Sequence, residues 1–158
     1  MTRKGAGWLM AIGFSLATVG VAASSGAEKA AGTDAAAIVE QHGQWEMSYG
    51  AVYYRVFGYV QNKSSKPIKY VKLQLDLVDA AGKSVYSTIG FNQKAEALGT
   101  VEGEGADTVK KSSPEETLKK IEALKPGEKD LFRIGVSKDD IPKKPKFKSY
   151  QLKIIEVK

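Results

Sequence analysis

The sequence predicts an all-β protein, an antiparallel β-sandwich of about six to seven strands with one short helix in a long loop, preceded by a signal peptide. Two observations predict the sandwich: segments rich in β-branched and aromatic residues alternate at period two, and turns of glycine, proline, asparagine or aspartate separate them. No regular helical pattern lies between the strands to cross a parallel sheet, so antiparallel pairing is expected.

The N-terminal region has the composition of a secretory signal. Arg3 and Lys4 precede an uncharged apolar run, Trp8–Ala23, which passes into small residues ending at Ala27. The run has 16 residues, fewer than the roughly 20 of a membrane-spanning helix. We therefore predict a signal peptide over residues 1–27, cleaved after Ala27 or after Ala23, with an uncleaved anchor as the alternative. The protein is expected to be periplasmic or secreted.

The composition after the signal fits one exported domain. Removing 27 of the 158 residues leaves 131, enough to bury one core. The chain has no cysteine, so neither a disulfide nor a lipid-modified cysteine is available. Loss of Arg3 and Lys4 lowers the net charge from +6 to +4, which favours anionic surroundings in the envelope. Residues 28–43 are alanine-rich and predict a flexible tether, so the sandwich domain is expected over residues 44–158.

The first strands are predicted at Trp45–Tyr49 and Ala51–Gln61. In the second of these, one side carries Val52, Tyr54, Val56 and Val60. The other side carries what we call the aromatic face: Tyr53, Arg55, Phe57 and Tyr59. Aromatic residues and arginine are enriched at protein-binding surfaces, which makes these four residues candidates for contact with a protein partner. The alternative, which we favour here, is that a second sheet packs on them, because both inner faces of a sandwich must be filled.

The next two strands form a predicted hairpin. Asn62–Pro67 is a turn by composition, and the segment from Ile68 to Val78 then places Val71, Leu73, Leu75 and Leu77 on one side. Asp79–Gly82 closes the hairpin, and Lys83–Phe91 returns as a strand.

The strand pattern stops between Asn92 and Pro126. Gly99–Asp107 is typical of a mobile surface loop. Ser113–Glu116 supplies a helix start, with serine as the cap, proline at the first position and glutamate at the third, and Leu118 and Ile121 would dock that helix. Two further strands are predicted, at Asp130–Val136 and Tyr150–Val157.

Three segments of the predicted sandwich resemble the bacterial FxLYD-type domains, which are immunoglobulin-like. They are Gly58–Asn62, Val71–Lys83 and Leu124–Phe132, and the resemblance extends over roughly Ala51–Val157. In the segment that corresponds to the family's name, Leu75–Asp79, Leu75 stands in place of the family's phenylalanine and Val78 in place of its tyrosine. The resemblance implies an extracytoplasmic, non-catalytic accessory or interaction module with an immunoglobulin-like fold, and it implies no active-site residues.

Residues able to carry catalysis or bind a transition metal are few. His42 is the only histidine and lies in the predicted tether, where a general base would not be held against a nucleophile. One histidine without cysteine does not complete a tetrahedral zinc site, and the isolated Met47 does not make a copper site.

The acidic residues have structural interpretations that we prefer to functional ones. Glu102, Glu104 and Asp107 are candidate calcium ligands, but their spacing does not match the helical-loop calcium motif and solvated loop charges explain them. Asp76 and Asp79 are a candidate carboxylate pair, but one is a strand residue and the other a turn former. We expect no cofactor and no metal.

A basic segment precedes the last strand and contains Lys143, Lys144, Lys146, Phe147 and Lys148. Its lysines are candidates for binding a polyanion while the phenylalanine stacks on a ring. The alternative, which we favour, is that lysines and prolines protect a sheet edge from aggregation. Convergence of these lysines with Lys153 on one surface would support polyanion binding.

The function expected from the sequence is therefore an exported, non-catalytic module that binds another envelope protein through the aromatic face, a strand edge or the loop over residues 92–126. The alternative is binding of an anionic envelope polymer through the basic segment, and nucleic acid is not expected. A third class, a hydrolase or metal-dependent enzyme using loop carboxylates, would need buried acids clustered in a cleft. The oligomeric state stays open.

Overall fold

A computed structural model describes residues 33–102 and 114–158. The predicted signal peptide lies outside these residues. The described part contains six strands: β1 Ala36–Ser48, β2 Ala51–Asn62, β3 Val71–Val78, β4 Ser84–Phe91, β5 Lys129–Ser137 and β6 Ser149–Val157. It also contains the short helices α1 Ala97–Glu102 and α2 Pro114–Lys120, and 3-10 turns at Thr33–Ala35 and Gln93–Ala95.

The strands form two three-stranded sheets, in the orders β1-β2-β5 and β4-β3-β6. All four strand pairings are antiparallel. The central strands, β2 and β3, belong to different sheets, and the chain passes from one sheet to the other after β2, after β4 and after β5. The prediction of an all-β antiparallel sandwich is confirmed.

The core lies between the two sheets and comes from the period-two pattern of the central strands. Leu73, Leu75 and Leu77 of β3 have no exposed surface, as their alternation predicts. They meet Val56 and Val60 of β2, together with residues of β5. Because these aliphatic side chains alternate with more polar ones, a register slip of one residue would remove the core face of β3 from the core.

The first strand corrects the predicted tether. Residues 36–43 form the first half of β1, and they pair with β2 from Ala36 opposite Asn62 to Gly43 opposite Val56. Ala36 is buried and Ile38 packs against the core. The sequence shows no period-two apolar pattern here because β1 is an edge strand, and its place depends on the hydrogen-bond ladder of β2 more than on its own side chains.

A β-bulge interrupts the ladder between β1 and β2. The pairing shifts between Ile38 and Glu40, so that Val39 is an extra residue on β1. Across the ladder stands Gly58, where a Cβ atom would overlap the carbonyl oxygen of Glu40 and lie 2.7 Å from its carbonyl carbon. Glycine at this position is therefore what allows the bulged main chain to lie so close to β2.

The long connection between β4 and β5 docks through a second, smaller apolar cluster. Tyr70, Phe91, Ala95, Leu98 and Ile121 are buried in it, and Leu118 packs against it. The predicted helix after Ser113 is confirmed as α2, and Leu118 of α2 and Ile121, the residue after it, dock as expected. The loop predicted at Gly99–Asp107 is helical in its first part, where α1 runs to Glu102. Ser113, Glu104 and Asp107 lie outside the described residues.

Two predicted turns are built as the sequence indicates. The side chain of Asn62 is fully buried. It donates to the carbonyl oxygens of Lys66 and Leu124 at 2.8 and 2.9 Å, and it accepts from the main-chain N–H and the hydroxyl of Ser64. Asp79 accepts from the main-chain N–H groups of Ala81 and Lys83 at 2.9 and 3.0 Å. Both side chains thus hold the main chain of the turns through local hydrogen bonds.

Candidate functional site

A cluster of aromatic rings lies at one end of the sandwich, on the inner side of the β1–β2 hairpin. Trp45 stands directly opposite Tyr54 in the ladder, and their ring centroids are 5.2 Å apart in an edge-to-face arrangement. Phe147, from the connection between β5 and β6, approaches Tyr54 to 4.8 Å, and Tyr150 at the start of β6 approaches it to 6.1 Å. The cluster therefore joins the first hairpin to the last connection of the fold.

Gly43 makes room for this cluster. A Cβ atom at Gly43 would lie 2.5 Å from the hydroxyl oxygen of Tyr54 and 2.6 Å from a ring carbon of Tyr150. Both rings can come close to β1 only because this position has no side chain. Burial raises the pKa of the Tyr54 phenol and the pKa of the Tyr150 phenol above their usual value, because the charged phenolate would lose hydration there.

Trp45, Tyr54 and Phe147 of this cluster form the floor of a pocket of about 910 Å³, which we call the Trp45 pocket. Its lining among the described residues is Trp45, Tyr54, Lys138, Asp139, Asp140, Ile141, Pro142, Lys143, Lys146, Phe147 and Lys148. Trp45 remains 49% exposed. A half-exposed indole beside four lysines presents a flat apolar face and positive charge to one ligand, and the volume is within the range of about 300–1,000 Å³ that ligand pockets occupy.

The pocket contains most of the predicted basic segment. Lys143, Lys146, Phe147 and Lys148 line it, whereas Lys144 is not part of its lining. The expected convergence with Lys153 is not observed: Lys153 is not part of the lining, and its ammonium lies 3.3 Å from the carboxylate of Asp76 on the neighbouring strand of sheet β4-β3-β6. Lys138, the residue after β5, completes the set of four instead.

Sequence reasoning missed that Trp45, Tyr54 and Lys138 belong to this site. The signal for the first two was Gly50, which separates the two predicted strands and permits a tight turn. In the structure Tyr49 and Gly50 both take positive φ in a two-residue turn that sets Ser48 opposite Ala51. Three residues away from the turn on each strand, Trp45 therefore stands opposite Tyr54. Lys138 carries no comparable signal, because its position depends on how the connection after β5 folds.

The aromatic face is on the outside of the sandwich. The interpretation that a second sheet packs on Tyr53, Arg55, Phe57 and Tyr59 is wrong: sheet β4-β3-β6 packs on the opposite side of β2, through Val56 and Val60. Side-chain size does not distinguish the two sides of β2, because both are apolar. Tyr59 is 41% exposed and the other three residues are half-buried.

Neighbouring side chains partly cover the aromatic face. Arg55 places its guanidinium 5.3 Å from the ring centroid of Tyr53, and its Nε lies 3.1 Å from an Oε of Glu46. His42 of β1 stacks at a tilt on Phe57 with centroids 5.8 Å apart, and its Nε2 is 3.0 Å from an Oε of Glu40. The aromatic face is thus half-buried except at Tyr59, and its arginine lies beside the Glu46 carboxylate.

The remaining candidate residues have structural contacts. Asp76 accepts hydrogen bonds from Gln74 and Ser87 and pairs with Lys153. Partial burial raises the pKa of the Asp76 carboxyl, but these three partners outweigh the burial and hold the pKa below its usual value. In the described residues, no group of three or more histidine, cysteine, aspartate or glutamate side chains is placed to hold a metal ion.

The comparisons with known proteins add no assignment. No protein-family model, no curated protein and no solved structure matches the chain. The resemblance to FxLYD-type domains therefore stays a prediction. None of the helices within residues 33–102 and 114–158 is long and apolar enough to span a membrane.

Proposed function

We propose that this chain is an exported, non-catalytic β-sandwich module of the cell envelope that binds an anionic ligand with a flat or apolar face in the Trp45 pocket. The observation that carries the proposal is the half-exposed indole of Trp45 beside Lys138, Lys143, Lys146 and Lys148. Lysines on the connection between β5 and β6 attract an anion from a distance, and an aromatic floor holds it by contact. Export is proposed from the apolar run near the N-terminus.

The non-catalytic part of the proposal is supported by the surroundings of the acidic residues that sequence analysis considered. The carboxylate of Asp76 is held within its sheet by three partners, and Asp79 satisfies main-chain groups of a hairpin turn. A general acid or base must instead be free to meet a substrate.

The test is retention of the full chain on immobilised anionic polymers at low and high salt. We expect dextran sulfate to retain the chain at low salt and to release it as salt rises, because exposed charges are screened. Neutral dextran is not expected to retain it. The double variant Lys143→Gln/Lys146→Gln should elute at markedly lower salt than the matched control Lys83→Gln/Lys129→Gln, which removes the same charge from exposed lysines outside the pocket. Equal elution of the two variants would contradict the proposal.

A second candidate function is contact with a protein partner through the aromatic face. It is supported by the outward position of Tyr53, Phe57 and Tyr59, since exposed aromatic side chains are frequent anchors of protein interfaces. Under this candidate, one stoichiometric envelope protein should be recovered with the chain and should resist salt. Tyr59→Ser should abolish its recovery while Lys143→Gln/Lys146→Gln should not, and the opposite pattern would reject the candidate.

A further inference from the structure

The charges around the Trp45 pocket are mixed in sign. Six of its eleven lining residues are charged, and the four lysines share the rim with Asp139 and Asp140. Both aspartates are exposed, and their main-chain N–H groups are held by Ser137, which fixes the turn that carries them. A ligand in this pocket therefore meets hydrogen-bond acceptors as well as cations.

This mixture discriminates among anionic ligands. A densely charged polyphosphate chain offers acceptors only, so the two aspartate carboxylates would repel it. An acyl chain of a lipid would lie against charged side chains at six of the eleven lining residues and would satisfy none of them. A ligand that carries both hydroxyl donors and well-spaced negative charges matches both kinds of group.

The floor of the pocket adds a requirement for shape. Trp45 and Phe147 lie edge to face with centroids 6.2 Å apart, and each contacts Tyr54. The half-exposed indole gives a ring-shaped ligand a flat apolar surface on which to lie. A pyranose has such a surface in its axial C–H groups, while its hydroxyl groups point outward in the plane of the ring toward the rim.

We infer that the ligand of the Trp45 pocket is an acidic carbohydrate, a chain of pyranose rings bearing carboxylates. This inference rests on the proposed function of the same pocket and narrows its ligand class. One sugar ring stacks on Trp45, its hydroxyls donate to Asp139 and Asp140, and carboxylates of that ring and its neighbours meet the lysines. Nine of the eleven lining residues come from residues 138–148, so this one connection sets the specificity while the hairpin supplies the stacking surface.

The experiment uses Trp45 itself as the probe. The chain has two tryptophans, Trp8 and Trp45, so the full-length Trp8→Phe variant reports on the pocket alone. Its fluorescence is titrated with an oligogalacturonate, with the fully methyl-esterified and therefore neutral form of the same oligosaccharide, and with polyphosphate of equal total charge. Calorimetry on the same samples records any binding that leaves the indole unchanged.

We expect a saturable change in fluorescence with oligogalacturonate and binding at least about tenfold weaker for the neutral form, because exposed ion pairs contribute modestly and several are lost together. Polyphosphate should bind more weakly than oligogalacturonate. The double variant Asp139→Ala/Asp140→Ala should reverse that order, since it removes acceptors from the sugar and repulsion from the phosphate. Both substituted side chains are exposed, so thermal unfolding of the variant should match that of the parent.

The possible failures are distinguishable. Tighter binding of polyphosphate, or binding seen by calorimetry with no response of Trp45, would overturn the carbohydrate inference and leave anion binding by the chain in place. Equal binding of the neutral oligosaccharide would overturn the requirement for carboxylates and would also contradict anion binding in this pocket. Absence of binding to all three probes, together with no retention on dextran sulfate, would overturn the proposed function as well.

Discussion

Replacing Gly58 by alanine tests the account of how β1 lies against β2. The new Cβ would overlap the main-chain carbonyl of Glu40 in the bulge, and main chain cannot move aside as a side chain can. Overpacking of this kind costs about 1–3 kcal/mol, and the main-chain clash places Gly58→Ala near the upper end, at about 3 kcal/mol. At about 3 °C for each kcal/mol, thermal unfolding monitored by circular dichroism should move down by roughly 9 °C.

The chain offers a matched control at Gly135 of β5. A Cβ atom there would meet only the side chain of Arg55, at an ordinary contact distance of 3.7 Å. Gly135→Ala should therefore leave the melting temperature unchanged or raise it slightly, since alanine has the lower conformational entropy in the unfolded chain. Deleting Val39, the extra residue of the bulge, should recover much of the loss in Gly58→Ala. A melting temperature of Gly58→Ala equal to that of the wild type would refute the reasoning.

Three further predictions concern the core, a turn and the outer face of sheet β4-β3-β6. Leu75→Ala creates a cavity at a fully buried site and should cost about 2–5 kcal/mol in urea unfolding. Ile89→Ala, at a site 51% exposed on the neighbouring strand, should change stability by less than about 0.5 kcal/mol, and similar losses in the two variants would contradict the core assignment. Asn62→Ala removes all four hydrogen bonds of a fully buried side chain, although Ser64 and Ile68 still donate to the two carbonyls it served. A loss of about 2–3 kcal/mol is expected in the same assay, and a neutral result would be incompatible with this turn. The pKa of Asp76 is lower in the folded protein than in the unfolded chain, where it is near 3.9. The ionised carboxylate therefore stabilises the fold above that pH, and this stabilisation is lost as the pH falls through the folded pKa. The free energy of unfolding of Asp76→Asn should accordingly fall less steeply below about pH 4 than that of the wild type. Parallel curves of stability against pH would show that Asp76 is not involved.

The sandwich was predictable because its central strands carry their own pattern. Leu73, Leu75 and Leu77 alternate with polar residues, and Asp79 and Asn62 mark the turns beside that strand. These signals are local, so they can be read from a few consecutive residues. The edge strand β1 was not predicted over residues 36–43, because an edge strand takes its shape from its neighbour and carries little pattern of its own.

The site was only half predictable for a related reason. The basic segment can be recognised from its composition, but Trp45 and Tyr54 of the pocket floor lie about 100 residues earlier in the chain. Which side of β2 faces the second sheet was also not decided by residue type, since Tyr54 and Phe57 are equally suited to a core. That choice depends on sheet packing, which involves residues distant in sequence.

The position of the Trp45 pocket has a consequence for when the protein can bind. Its floor belongs to the first strand of the fold and its rim to the last connection, so the pocket forms only after the two ends of the domain have come together. Partly folded chains, with β1 detached, would carry the lysines without the indole. A bound ligand would in turn favour the state in which β1 is docked, since binding to the native form alone raises its stability by mass action. Ligand occupancy should therefore slow amide hydrogen exchange along the whole of β1, including residues far from the pocket.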